Sequence, residues 1–136
     1  MGISSVNPTI RIGIVGAGEM GQRHAKMVAD SNIAVVVGFA DPDSSAALNP
    51  VFAQVRHYQD HLKLIKAETP DGIIIATPNA HHVPVAIDCL AAGIPVLVEK
   101  PIADSVESGR ALVAEQRRFG VAVLVGHHRR FDPAVD

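Results

Sequence analysis

The chain has 136 residues, 48% of them hydrophobic and 19% charged, with a formal net charge of -2. That is enough apolar material for the core of one domain. The slight acidity excludes the basic footprint of a nucleic-acid or membrane-surface binder, and the single cysteine, Cys89, excludes an internal disulfide and fits a reducing compartment.

Strands and helices alternate along the chain. Ile10 to Val15 is a continuous apolar run, as expected of a strand buried on both faces. Glu19 to Asp30 follows as a helix, with Met20, His24, Met27 and Val28 at helical spacing. Ile33 to Ala40 is a second strand rich in β-branched residues. Pro42 and Asn49-Pro50 then punctuate a looser stretch that holds a short helix at Ser44 to Leu48. Val55 to Tyr58 is a short third strand, followed by a helix with Asp60 as N-cap and Leu62, Leu64 and Ile65 as its apolar face. Gly72 to Thr77 is a fourth strand, and Asn79 to Ala92 a helix ended by Gly93, with Cys89 as a small core residue. Pro95 to Lys100 is a fifth strand, Asp104 to Phe119 a helix stopped by Gly120, and Val121 to Gly126 a sixth strand.

This alternation predicts parallel βαβ units in an α/β, doubly wound Rossmann sheet. Six strands predict the order 3-2-1-4-5-6. Residues 1–9 read as an N-terminal tail, 10–126 as the dinucleotide-binding domain, and 127–136 as the start of a connection to a further domain.

Gly16-Ala17-Gly18-Glu19-Met20-Gly21 is a G-x-G-x-x-G directly after the first strand and opening a helix. Gly16 permits the tight turn, Gly18 lets a pyrophosphate approach the backbone, and Gly21 lets helix and strand pack closely. The helix N-terminus offers free N–H groups and partial positive charge to phosphates. Without a ligand, the same pattern is only a tight turn. Asp41 ends the second strand near the interval of about 20 residues for an acid that binds the adenosine ribose. It would repel a 2′-phosphate, and no Arg or Lys follows, so NAD is favoured over NADP. An ordinary solvated Asp before a proline is the plainer reading.

Ala76 to His82, ATPNAHH, stands where the fourth strand meets its helix, beside the topological switch point. Thr77, Pro78 and Asn79 would line the middle of the cofactor, and Asn79 could also cap the helix. His81 and His82 could each hydrogen-bond a ligand or simply lie at the surface. Glu99, Lys100 and Pro101 end the fifth strand. They are either a surface pair or an acid and a base at the sheet's reactive edge. Burial and a neighbouring positive nicotinamide would favour neutral Lys100, which could then orient or deprotonate a hydroxyl. His81-His82 and His127-His128 do not have zinc spacing, and no nucleophilic triad is visible. His24, His57 and His61 suggest only helix-face or loop positions.

These stretches, in this order, resemble the N-terminal domain of the glucose–fructose oxidoreductase / inositol dehydrogenase (Gfo/Idh/MocA) family over about residues 8 to 134. G-x-G-x-x-G is generic, whereas TPNAHH, VEKP and GHHRRFDP at these intervals are more specific. The resemblance implies an NAD-dependent oxidoreductase acting on a sugar, polyol or related small molecule. It implies that Gly16, Ala17, Gly18, Glu19, Met20 and Gly21 form the pyrophosphate turn and that Asp41 holds the adenosine ribose. Thr77, Pro78, Asn79 and His82 would contact the cofactor, Glu99 would lie near the nicotinamide ribose, and Lys100 would be the catalytic residue. Pro101 follows Lys100 through a bond that is often cis in the family, and Arg130 matches an Arg after the sixth strand. Family members continue into a second α/β domain that supplies most of the substrate pocket. The chain is therefore expected to be a fragment, inactive alone, with a homo-oligomer expected only where that domain is present.

No apolar run approaches the roughly 18 residues of a membrane span, and the start, MGISSVNPT, has no signal-peptide pattern. Val6 stands where an N-myristoylation signal needs Ser or Thr. A cytoplasmic location, with no membrane or nucleic-acid partner, is expected. Two other functions fit the same fold: a non-catalytic NAD-sensing module, and a Rossmann enzyme using NADP or S-adenosylmethionine. Asp41 argues against NADP, and the E-K-P segment against a methyltransferase.

Overall fold

A computed structural model describes residues 9–127. Six strands form one parallel sheet: β1 (Ile10–Val15), β2 (Ala34–Ala40), β3 (Arg56–Tyr58), β4 (Gly72–Ile75), β5 (Val96–Glu99) and β6 (Val123–Gly126). Their order is β3-β2-β1-β4-β5-β6, as the alternation predicts. The helices are α1 (Glu19–Asp30), α2 (His61–Glu68), α3 (His82–Ala91) and α4 (Val106–Phe119). β1 and β4 are adjacent, so the order reverses between them and a crevice opens beyond their carboxyl ends.

Two apolar layers sandwich the sheet. On one face, Leu64 of α2 and Val83, Ala86, Cys89 and Leu90 of α3 pack with Leu112 of α4 against the strands. On the other, Ala25 of α1 and Phe52 pack against Ile14, Phe39 and Ile74. Phe52 stacks on Phe39 with ring centroids 4.2 Å apart. The α1 face is less covered toward the β6 edge, where Leu124 is 64% exposed.

Several strands are shorter than the sequence suggests. Val55 belongs to the preceding turn, where its N–H donates to the Phe52 carbonyl. Pro95 has no N–H for the ladder and contributes only its carbonyl, to Ile73, so β5 starts at Val96. Val121 is held by the Gln116 amide at the end of α4, and β6 starts at Val123. Ile33 lies just outside β2 and is 65% exposed.

One apolar position on each of two helices lies outside its packed face, although Val28 of α1 and Leu64 and Ile65 of α2 do pack. Met27 is 68% exposed and Leu62 56% exposed; Gly21 and Ala25 are the buried positions of α1, and Leu64 is the fully buried apolar residue of α2. Asp60 does cap α2, accepting from the Lys63 N–H at 2.9 Å. Asn79 is not a cap. It lies inside a short 3-10 turn, Asn79–His81, preceded by Pro78 and without a side-chain cap, and α3 begins only at His82. Ser44–Leu48 is likewise 3-10, capped by Asp43. The cap of α4 is Ser105, in a reciprocal arrangement with Ser108, and Gly120 closes that helix at φ 65°.

At the amino ends of the strands, buried Glu68 accepts from the Tyr58 hydroxyl at 2.6 Å and pairs with Arg11 at 3.4 Å. The hydrogen bond to Glu68 holds the Tyr58 hydroxyl above its usual range. Cys89 is fully buried, and burial, with Asp88 adding to it, pushes its thiol up to about 12. Cys89 should therefore resist a thiol reagent at neutral pH until the fold opens, because the thiolate is the reactive form. Labelling of native protein as fast as that of denatured protein would contradict this packing. Leu90→Ala should cost about 2–5 kcal/mol in a denaturant titration, the range for a large-to-small change in a core.

Candidate dinucleotide site

The turn after β1 is fixed by two close approaches. Gly16 has φ +99°, and a Cβ there would lie 2.5 Å from the Ala76 carbonyl oxygen. A Cβ on Gly21 would lie 1.8 Å from the Gly16 carbonyl oxygen, so only glycine lets α1 settle onto the turn. A Cβ on Gly18 would meet nothing within 4 Å. That open side faces outward from the start of α1, where Gly18 is the N-cap and no side chain caps the helix. Uncapped N–H groups at a helix start suit a phosphate. Glu19, exposed in this first turn, pairs with Arg23 at 2.7 Å.

Asp41 follows β2 and does more than the sequence suggests. Its Oδ2 accepts from the Ala17 N–H at 2.9 Å and its Oδ1 from the Asp43 N–H at 2.8 Å. The carboxylate thus ties the glycine turn to the end of β2 while keeping lone pairs for further donors. His57 Nε2 donates to the Asp41 carbonyl at 2.8 Å while its ring stacks on Phe39, with centroids 4.9 Å apart. Asp43 is a second acid here, held below the usual carboxylate range by hydrogen bonds from the Ser45 hydroxyl and amide. Two carboxylates in one turn strengthen the case against a 2′-phosphate.

Two clefts flank the switch point. One, about 470 Å³, is lined by Gly16, Asp41, Pro42, His61, Thr77 and Pro78, among others. The other, about 280 Å³, is lined by Met20, Ala76, Thr77, Asn79, His82, Glu99 and Lys100. Thr77 belongs to both, and its Oγ1 is buried without a hydrogen-bond partner among the described residues. A buried hydroxyl without a partner costs about 1–3 kcal/mol, so it marks a place for a polar ligand. The residues fit a dinucleotide: a two-part crevice, an uncapped helix start between the parts, an acid at one end and an orphan hydroxyl in the middle.

His82 is 1% exposed. Its Nδ1 lies 2.7 Å from the Pro101 carbonyl and its Nε2 2.8 Å from the Thr77 carbonyl. A neutral ring can donate to one of these acceptors and a protonated ring to both. His82 therefore staples the end of β4 to the segment after β5, and its ring nitrogens are not free for a ligand. His81 is exposed at the rim of the larger cleft. The Lys100-Pro101 bond is cis. Lys100 is exposed, so the described residues do not supply the burial expected to neutralise it. Arg130 lies outside the described residues, as do His128 and most of the expected connection.

Three histidines that the sequence left as bland positions are tied into this region. His24 Nε2 lies 2.5 Å from Glu99 Oε1, and His61 Nε2 lies 2.7 Å from Asp88 Oδ2 at the wall of the larger cleft. With His57, each finds a partner remote in sequence, which helical spacing alone cannot reveal. The one available signal was the placement of His24 among the apolar positions of α1. Among the described residues, no three His, Cys, Asp or Glu side chains gather as a metal site, and no helix is long and apolar enough to cross a membrane.

Residues 10–127 match the model of an oxidoreductase family, NAD-binding Rossmann fold. The rhizopine catabolism protein MocA of Rhizobium meliloti is 37% identical over 123 residues, covering 90% of this chain and 39% of that protein. Inositol 2-dehydrogenase 4 of Saccharopolyspora erythraea is 40% identical over 133 residues, covering 93% of this chain and 39% of its own length. The crystal structure of GenD2 from gentamicin A biosynthesis, in complex with NAD, superposes with a TM-score of 0.85 at 27% identity, over 96% of this chain and 38% of that one. The chain thus spans about two-fifths of the length of these relatives.

His82→Ala should destabilise the domain by roughly 2–4 kcal/mol, since it removes a buried ring and its hydrogen bonding between the Thr77 and Pro101 carbonyls. Chemical denaturation measures this, and a loss below ~0.5 kcal/mol, ordinary for a surface position, would contradict the staple.

Proposed function

The chain belongs to the Gfo/Idh/MocA oxidoreductase family, with an NAD-binding Rossmann fold over residues 10–127, and from that membership we propose that it serves a dehydrogenase acting on a CH–OH group of a sugar, a polyol or a related hydroxy compound. The structural observation that carries its dinucleotide part is the buried Thr77 hydroxyl, without a hydrogen-bond partner among the described residues, shared by two clefts on either side of the uncapped start of α1. The substrate class follows the printed activity of the inositol dehydrogenase relative.

In this reading the backbone N–H groups of Gly18, Glu19 and Met20 receive the pyrophosphate, with Gly16, Ala17 and Gly21 holding the turn. Asp41 accepts the adenosine ribose hydroxyls with the lone pairs it retains, beside Pro78. Thr77 donates its hydroxyl at the centre, Asn79 borders the smaller cleft, and Glu99 accepts from the nicotinamide ribose. His82 and Pro101 hold this end of the site in place. NAD, when bound, supplies the hydride acceptor or donor. Lys100 stands at the exposed mouth of the smaller cleft. There its ammonium can orient a substrate hydroxyl and, once desolvated, move that hydroxyl's proton. Arg130 would assist from beyond the described residues. A cytoplasmic setting fits a soluble cofactor of this kind.

Calorimetric titration of the chain with NAD and NADP should give NAD binding well above NADP. Equal affinities would discredit the role of Asp41 and Asp43. Asp41→Ala should weaken NAD binding by roughly 1–3 kcal/mol, the scale of hydrogen bonds to a charged group, and an unchanged affinity would remove Asp41 from the ribose site. In the dehydrogenase that carries this domain, Lys100→Ala should leave NAD affinity nearly intact and abolish turnover; retained kcat would exclude Lys100 from the chemistry.

A further inference from the structure

His24 and Glu99 are 75 residues apart in sequence. In the fold they form a half-sealed pair: Nε2 of His24 lies 2.5 Å from Oε1 of Glu99, with side chains 13% and 10% exposed. His24 sits in the second turn of α1, the helix whose start meets the phosphates. Glu99 ends β5 and lines the smaller cleft next to Lys100. The second carboxylate oxygen, Oε2, faces the Lys100 N–H at 3.3 Å, a longer and weaker contact. Across from it runs Gly126 of β6, whose bare Cα leaves room for the carboxyl group.

A carboxylate this secluded from water needs hydrogen-bond donors in place of the lost hydration. The Lys100 N–H is a weak substitute, which leaves His24 as the principal donor. We propose that His24 is a positioning residue: it fixes the Glu99 carboxylate at the nicotinamide end of the cleft, where that carboxylate favours the oxidised cofactor over the reduced one. This rests on the reading that the cleft takes NAD.

The physical basis is a difference between the two cofactor forms. The oxidised nicotinamide ring carries a positive charge and the reduced ring carries none, while the rest of the dinucleotide is the same. A carboxylate in a partly desolvated cleft is attracted to the first far more than to the second. Any contribution His24 makes only by anchoring α1 would act through the phosphates and adenosine, which both forms share. The ratio of the two affinities therefore separates the positioning role from a merely structural one.

The test is titration of the 136-residue chain with NAD+ and, separately, NADH, for wild type, Glu99→Gln, His24→Ala and His24→Gln. The readout is the ratio of the NADH to the NAD+ dissociation constant. Glu99→Gln keeps the shape and one hydrogen bond, and should lower that ratio by about tenfold, the scale of a single interaction with a charged group. His24→Ala should lower it similarly, and His24→Gln, whose amide N–H reaches near the place of Nε2, should restore most of it. A ratio unchanged in Glu99→Gln or in His24→Ala, or equal losses for both cofactors, would overturn the proposal. If His24→Ala fails to fold, His24→Leu, which keeps most of the volume but offers no donor, should lower the ratio in its place, and an unchanged ratio there would overturn the proposal. Failure of the wild-type chain to bind either cofactor would instead overturn the NAD reading on which the proposal stands.

Discussion

The first turn of α1 lies against the turn that follows β1, so close that a single methyl group on Gly21 would overlap the Gly16 carbonyl. The rest of the site follows from that contact. It sets where the helix starts, and so where its uncapped N–H groups point. Gly16 in turn lies under the Ala76 carbonyl, at the ends of β1 and β4, which pair in parallel where the strand order reverses. The crevice at that point is divided between two clefts, with Thr77 as their common wall.

Around this contact the fold uses polar ties rather than apolar packing. Asp41 binds the Ala17 N–H, His57 binds the Asp41 carbonyl, His82 joins the carbonyls of Thr77 and Pro101, and His24 meets Glu99. Each tie links two segments that reach the carboxyl edge of the sheet from different strands. Loop ends at such an edge have little hydrophobic surface to bury, so directed hydrogen bonds are the means left to hold them within the tolerance a ligand needs. The ties that involve Asp41 and Glu99 occupy part of each carboxylate and leave the remaining lone pairs for a ligand.

The sheet was legible because its information is local. Strand runs such as Ile10 to Val15, apolar but for Arg11, most of them followed by glycine or proline punctuation, give strand order once the right-handed crossover is applied. Errors gathered where a second element decides. Leu62 and Met27 have the right spacing to face a core but are exposed, while the expected Leu64 of α2 is buried and α1 buries Ala25. Asn79 has the chemistry of a cap, yet Pro78 directs the chain into a 3-10 turn first. The glycine turn and Asp41 stand out in the sequence because their spacing carries a mechanism, and the structure joins them through the Ala17 N–H. The roles of His24, His57, His61 and His82 were not, because each depends on a partner brought near only by the sheet.

The central claim is that one crevice, running from Asp41 across the start of α1 to Glu99, receives a single dinucleotide. The most direct measurement is the backbone amide NMR spectrum of the chain titrated with NAD. The account predicts that the Gly18, Glu19 and Met20 amides shift together with those of Asp43, Thr77 and Lys100, along one binding curve. Shifts confined to one cleft, or gathered instead on the exposed strand face around Leu124, would contradict it.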